Sequence, residues 1–292
     1  MRRSDKVGYW FVVPAFLFMA MFMFYPVVYN AILSMQHVDV MTLLSKEKEF
    51  VLFDNYVKIF KDKMFWNSLK NTFIFTIGSI AFQFGIGFFL AVLFNRESKG
   101  FKFMRAVMMV PYIMPATVSA ILFKFIFNVS GGIANEALMA LGMIKEPIEW
   151  LLTGRTAMIS VIIGNIWCGI PFNMILISTG LTTIPTELYE SAALDGAGKV
   201  QTFFKITLPL LRPTIESVLI LGFIYTFKVY DLVYVMTSGG PVNSTHMLST
   251  YSYKLSFELF RYSDGAAVAN VLLVILLIVG VFYLRATKED NE

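Results

Sequence analysis

Six long apolar stretches limit what this chain can fold into. A helix of about 20 predominantly apolar residues crosses the hydrocarbon core of a bilayer. Runs of that kind occupy residues 8–35, 71–94, 104–127, 156–181, 214–236 and 265–284. The first follows a basic start, as a signal peptide would, but its run of about 25 apolar residues favours an uncleaved anchor over the shorter signal-peptide core. Composition agrees: 57% of the 292 residues are hydrophobic and 15% are charged, where a soluble domain has about half and about a quarter. The expected fold is an all-α polytopic membrane protein with six transmembrane helices, one transmembrane domain over residues 1–292. Pro14, Pro26, Pro111, Pro115 and Pro171 fall within the spans, where prolines are tolerated as kinks.

Cys168 is the single cysteine, so no intrachain disulfide can form. His37 and His246 lie far apart, and no residue cluster has the spacing of a metal site. The net charge of +4 is mild and points to anionic lipid headgroups before nucleic acid. Arg2, Arg3 and Lys6 precede the first run with Asp5 against them, and the short connection 95–105 carries Arg96, Lys99, Lys102 and Arg105 against Glu97. Basic residues in short connections mark the cytoplasmic side, so both termini and the connection 185–213 are expected there. Segments 36–70, 129–155 and 237–264 then lie outside. The first holds an amphipathic stretch with Phe53, Tyr56, Phe60, Phe65 and Trp66, which reads as a helix lying at the interface. The third opens with Thr237-Ser238-Gly239-Gly240-Pro241, a turn-rich break.

The connection 185–213 is polar yet patterned for helix. Pro185 suits a first turn, with Glu187 and Glu190 near the positive helix end. Leu188, Ser191, Ala192 and Asp195 recur at helical spacing. Gly196 and Gly198 offer a stop, a second short helix follows with Val200, Phe203, Phe204 and Ile206, and Pro209 and Pro213 are expected to end it. Gly196-Ala197-Gly198-Lys199 imitates the end of a phosphate-binding loop, but Ala193 and Val200 stand where that loop needs Gly and Ser or Thr.

Glu190-Ser191-Ala192, three residues, Gly196, nine residues and Ile206-x-Leu208-Pro209 resemble the EAA loop of ABC importer permeases, with Ser191 where Ala is usual. The runs Phe227–Thr245 and Asp54–Thr72 resemble the carbohydrate-uptake branch of that binding-protein-dependent family, and Gly8-Tyr9-Trp10-Phe11 with Tyr25-Pro26-Val27-Val28-Tyr29 resembles its MalF-like subunit. The resemblance implies a type I importer transmembrane domain that performs no bond chemistry. It implies a second, MalG-like permease, two cytoplasmic ATPase subunits that bind ATP and Mg, and an extracytoplasmic substrate-binding protein. No cofactor is expected on this chain. Glu190, Ser191, Ala192, Ala193, Asp195, Gly196, Ile206, Leu208 and Pro209 would form the ATPase-coupling element.

For the substrate path, Asn165, Cys168, Gly169 and Phe172 share a face of the fourth span, and Gly222, Tyr225, Thr226 and Val229 share one in the fifth. Asn165 and Thr226 offer hydrogen bonds, and Phe172 and Tyr225 offer rings, as a sugar or polyol requires. Small and polar residues also pack membrane helices against one another, so interhelical packing is the plainer reading of each. Lys228 and Asp231, three apart, are expected to pair. An ion-coupled secondary transporter would want ionisable groups at mid-membrane, and only that pair comes close. A membrane scaffold that recruits a cytoplasmic protein would not need the polar track through spans four and five.

Overall fold

The computed structural model describes residues 3–45, 47–95 and 98–289, with side chains between residues 11 and 285. Arg2, Arg96 and Glu97, used above for orientation, lie outside the described residues, as do the side chains of Arg3, Asp5 and Lys6. The described chain is helical: α1 Arg3–Met19, α2 Tyr25–Ser34, α3 Asp54–Lys61, α4 Lys63–Phe94, α5 Lys99–Met108, α6 Val110–Ile113, α7 Ala116–Ile126 and α8 Ile133–Ala140. Then come α9 Gly154–Thr182, α10 Thr186–Leu194, α11 Lys199–Thr202, α12 Leu208–Phe227, α13 Asp231–Thr237, α14 Leu248–Tyr253 and α15 Tyr262–Glu289. π-helical turns at Ala20–Phe24 and Phe203–Thr207 join α1 to α2 and α11 to α12 without a break.

Among the described residues, five helical stretches are long and apolar enough to cross a membrane: Phe11–Ser34, Lys63–Phe94, Gly154–Thr182, Lys199–Phe227 and Tyr262–Arg285. The expected third span, 104–127, differs. Its two parts, Lys99–Ile113 and Ala116–Ile126, meet at 98°. Pro115 pushes Met114 into an extended conformation, with ψ 136°, because its ring disfavours helix at the preceding residue. At 1.5 Å per residue the two parts measure about 22 Å and about 16 Å, each short of the roughly 30 Å hydrocarbon core. The expected fifth span, 214–236, is also corrected. Pro209 and Pro213 do not end a helix: Pro209 sits in the first turn of α12 and Pro213 inside it. The helix runs from Lys199 to Phe227, and Lys228 caps it before the separate α13. Lys228 and Asp231 therefore lie on different helices, and among the described residues they form no ion pair.

Two compact units divide the chain. One comprises Met1–Trp66 and Tyr251–Val274. Amides join its helices beside buried apolar side chains that include Ile59, Phe65, Leu255, Ala267 and Val268. Asn30 Nδ2 donates to Asn270 Oδ1 (2.7 Å), and Asn270 Nδ2 donates to Ser34 Oγ (2.9 Å) and Tyr56 OH (3.1 Å). Asn55 holds the chain after α2 through the carbonyls of Ser34 and Gln36, both at 2.8 Å. Asp264 is buried and takes Lys58 (2.7 Å) and Arg261 (2.6 Å) on one carboxylate oxygen. The amphipathic stretch is shorter than expected: only Asp54–Lys61 is separate, and Phe65 is buried at the start of α4.

The other unit comprises Asn67–Thr250 and Ile275–Glu292. Along α4, Ser68, Thr72, Thr76, Ser79 and Gln83 form a buried polar seam at helical spacing. Phe75, Phe123, Val161, Leu232 and Met236 pack α4, α7, α9 and α13 into one apolar cluster. Ala91, Met174, Ile177, Leu211 and Val218 pack α4, α9 and α12 into another. Asn135, fully buried, organises the chain between α8 and α9 by exchanging two 3.0 Å bonds with the Ile148 backbone and accepting from Trp150 Nε1 at 2.9 Å.

Candidate functional site

A cavity of about 310 Å³ lies between α4, α6, α9 and α12, lined by Gln83, Tyr112, Asn165, Cys168, Gly169, Phe172, Asn173, Gly222, Tyr225 and Thr226. That is near the lower end of small-molecule sites, which span about 300–1,000 Å³. Seven of the eight path residues expected from the sequence line it. Val229 does not. Its expected helical register ends with α12 at Phe227, and Val229 packs instead beside the Phe75–Phe123–Leu232 cluster.

Three lining residues are added by the fold. Gln83 comes from the middle of α4, Tyr112 arrives through the 98° bend, and Asn173 lies one turn beyond Gly169. Tyr112 and Phe172 stack with centroids 6.4 Å apart and planes at 22°, and Tyr225 meets Phe172 edge-on at 5.6 Å and 83°. The three rings make an aromatic wall. Lys228 Nζ stands 5.3 Å from the Tyr225 centroid, a cation–π contact in place of the expected pairing with Asp231. No lining side chain carries a formal charge at neutral pH. The polar lining consists of amides, hydroxyls and one thiol, set against rings. Such a surface hydrogen-bonds neutral hydroxyl groups and packs against C–H faces.

The second candidate element is the knob 185–213. Helix α10 ends in a Schellman motif. Gly196, with φ +77°, donates to Ala193 O at 3.1 Å, and Ala197 donates to Ala192 O at 2.9 Å. Gly196 is thus the stop, while Gly198 caps the start of α11. The inward side of α10 is Tyr189 and Ala192, not the whole Leu188–Asp195 face. Tyr189 OH and Thr207 Oγ1 are 3.1 Å apart and tie α10 to the π-helical turn. Glu190, Ser191, Ala193, Asp195, Gly196 and Pro209 are exposed, Ile206 and Leu208 are half-buried, and Ala192 is buried. The knob also exposes apolar side chains outside the motif: Leu194 is 89% exposed, Val200 72% and Phe204 60%. Arg105 donates from Nη2 to Phe94 O at 2.6 Å, so this basic residue also caps the end of α4.

An apolar helical protein with a polar cavity between its spans and an exposed knob on one connection is a membrane transport component. The profile of the binding-protein-dependent transport system inner membrane component family matches residues 83–287, and the chain belongs to that family, whose members are permease subunits of ABC importers. It is 34% identical over 99% of both chains to a probable ABC transporter permease protein, YurN, of Bacillus subtilis. It is 33% identical, over 99% of this chain and 96% of the other, to the trehalose/maltose transport system permease protein MalF of Thermococcus litoralis. The solved bacterial alginate ABC transporter in complex with alginate pentasaccharide-bound periplasmic protein has a chain of the same fold: TM-score 0.84, 22% identity, 99% of this chain and 96% of that one. The fold is that of an ABC importer transmembrane domain, and the protein is a multi-pass membrane permease, not an enzyme.

Proposed function

We propose that this chain is the MalF-like half of the translocation path of an ATP-driven importer for an uncharged sugar or related polyol. The observation that carries this reading is the uncharged cavity walled by Tyr112, Phe172 and Tyr225 and edged by Gln83, Asn165, Asn173 and Thr226. A relative named for trehalose and maltose transport supports the substrate class. An extracytoplasmic binding protein delivers the sugar, a MalG-like permease completes the path, and two ATPase subunits, holding ATP and Mg, dock on the knob. Its exposed Glu190, Asp195, Leu194, Val200 and Phe204 offer the charged and apolar groups such docking uses. Lys99, Lys102 and Arg105 favour a cytoplasmic position for the connection after α4, and with Lys99–Ile113 and Ala116–Ile126 crossing together as one broken span the knob and both termini lie on that side too.

Reconstitution of the four-component importer in vesicles tests this with trehalose and maltose. Uptake is expected to need ATP and to survive an uncoupler, whereas uptake lost with the uncoupler alone would favour ion coupling. Cys168 adds a test of the path itself. With cysteine-free partners, a maleimide is expected to block uptake by the wild-type chain and to leave Cys168→Ser unaffected. Equal inhibition of both would remove Cys168 from the path.

A further inference from the structure

We propose that Gln83 is a specificity-determining residue of this path, reading a hydroxyl of an uncharged saccharide through its side-chain carbonyl; the proposal rests on the saccharide reading above. Gln83 is 4% exposed and reaches from α4 into α9. Its Nε2 donates to the backbone carbonyl of Asn165 at 2.7 Å. Because that partner can only accept, it fixes which end of the amide is nitrogen, and Oε1 remains to face the cavity that Gln83 lines.

The amide sits in a notch that exists because residue 169 is glycine. A Cβ there would lie 2.5 Å from both Nε2 and Oε1 of Gln83, closer than any real contact. One turn further along both helices, a Cβ on Gly87 would lie 2.7 Å from Asn173 Cβ and 3.1 Å from the Ile170 carbonyl oxygen. Two glycines, one on each helix, thus pin α4 against α9 in register. The Gln83 amide is held by backbone on both sides rather than by a mobile side chain.

Beside it, Asn165 Nδ2 is buried with no hydrogen-bond partner. A buried donor left unspent is a standing cost, unless a ligand uses it. Rotation about the soft terminal torsion of asparagine turns this donor toward the same cavity. A sugar hydroxyl both donates and accepts. It can give its proton to Gln83 Oε1 and take one from Asn165 Nδ2, which a carboxylate or a methyl group in its place cannot do.

The test uses the reconstituted importer with trehalose and its monodeoxy analogues. In the wild type, one analogue is expected to enter about tenfold more slowly than the parent, about 1.4 kcal/mol of discrimination. In Gln83→Leu, all analogues should enter within twofold of the parent. A merely structural role slows parent and analogues alike and leaves the ranking intact. Gly169→Ala, which expels the amide from the other helix, is expected to flatten the same ranking, and it serves if Gln83→Leu fails to assemble with its partners. Import of trehalose with the wild-type ranking kept in an assembled variant overturns this inference alone. Absence of sugar import by the wild type overturns the saccharide reading and this inference with it.

Discussion

Substitutions at Gly196 separate two reasons for a glycine in the knob. Its φ of +77° closes the Schellman motif, and a Cβ added there meets nothing within 4 Å. Within this chain the cost of a side chain is therefore conformational, not steric. The left-handed region costs an ordinary L-residue about 1–2 kcal/mol and costs asparagine less, and β-branching adds to the strain. The expected order of stability is Gly196, then Asn, then Ala, then Val. The Ala197 N–H bonded to Ala192 O reports the turn, and its hydrogen-exchange protection should fall about 5- to 30-fold in Gly196→Ala, which is the same 1–2 kcal/mol. Binding of an ATPase subunit to the permease in nanodiscs should weaken in the same order, by no more than that factor, because only the fraction with the turn formed is competent to dock. If Asn weakens docking more than Ala does, side-chain size governs. The glycine would then serve close approach of the partner, and the backbone reasoning is refuted.

Two further tests concern the buried charges and phenol beside α3 and α15. The Asp264 side chain is 4% exposed, whereas those of Lys58 and Arg261 are 53% and 38% exposed. The double variant Lys58→Met, Arg261→Met strands a buried carboxylate and should cost about 3–5 kcal/mol, while Asp264→Asn frees two cations that reach water and should cost about 1 kcal/mol. Melting in detergent checks the order, and equal losses would show that burial of the carboxylate is not what matters. Tyr251, 2% exposed and 2.5 Å from Asp62, has its phenol pKa raised, first by burial and then by its bond to Asp62. The folded state therefore resists ionisation that the unfolded chain undergoes near pH 10. Stability should be unaffected below that pH and decline above it, and Tyr251→Phe should remove this alkaline loss from the melting profile.

What was legible in the sequence follows from the range of the signal. Apolar length marks the spans without tertiary information, and α9 and α15 begin and end within a few residues of expectation. Helical spacing gathers Asn165, Cys168, Gly169 and Phe172 on α9, and Gly222, Tyr225 and Thr226 on α12, because each set shares one uninterrupted helix. The same rule misplaces Val229, since hydrophobicity continues past Lys228 while the backbone does not. Pro209 and Pro213 resemble stops only in isolation. Pro209 lies immediately after the π-helical turn, and such a local adjustment accommodates a proline inside a membrane helix. Gln83 and Tyr112 carry no local mark of function. The first needs the Gly169 notch, and the second needs the bend at Pro115.

The knob and the cavity share two helices, and this is the mechanical content of the fold. Helix α9 carries Asn165 through Asn173 and ends at Thr182, just before Pro185 opens the knob. The return path is continuous helix from Lys199 through the π-helical turn to Gly222, Tyr225 and Thr226. Between them, a Cβ on Gly180 would lie 2.6–2.9 Å from the Thr214 side chain, so the two helices touch at the base of the knob. Leu181, Ile184 and Leu211 close the same base with apolar contacts. A packed interior repacks between discrete arrangements more readily than it deforms. A push on α10 at that base would act on both helices that wall the cavity, across the short non-helical connections 183–185 and 195–198. On the return side lies the π-helical turn Phe203–Thr207, held to α10 by the Tyr189–Thr207 contact. If that turn tightens to α-helix, the residues beyond it rotate by about 100°, the angle of one residue. Phe203 and Thr207 are then where motion of the knob would change which face α12 shows to the cavity.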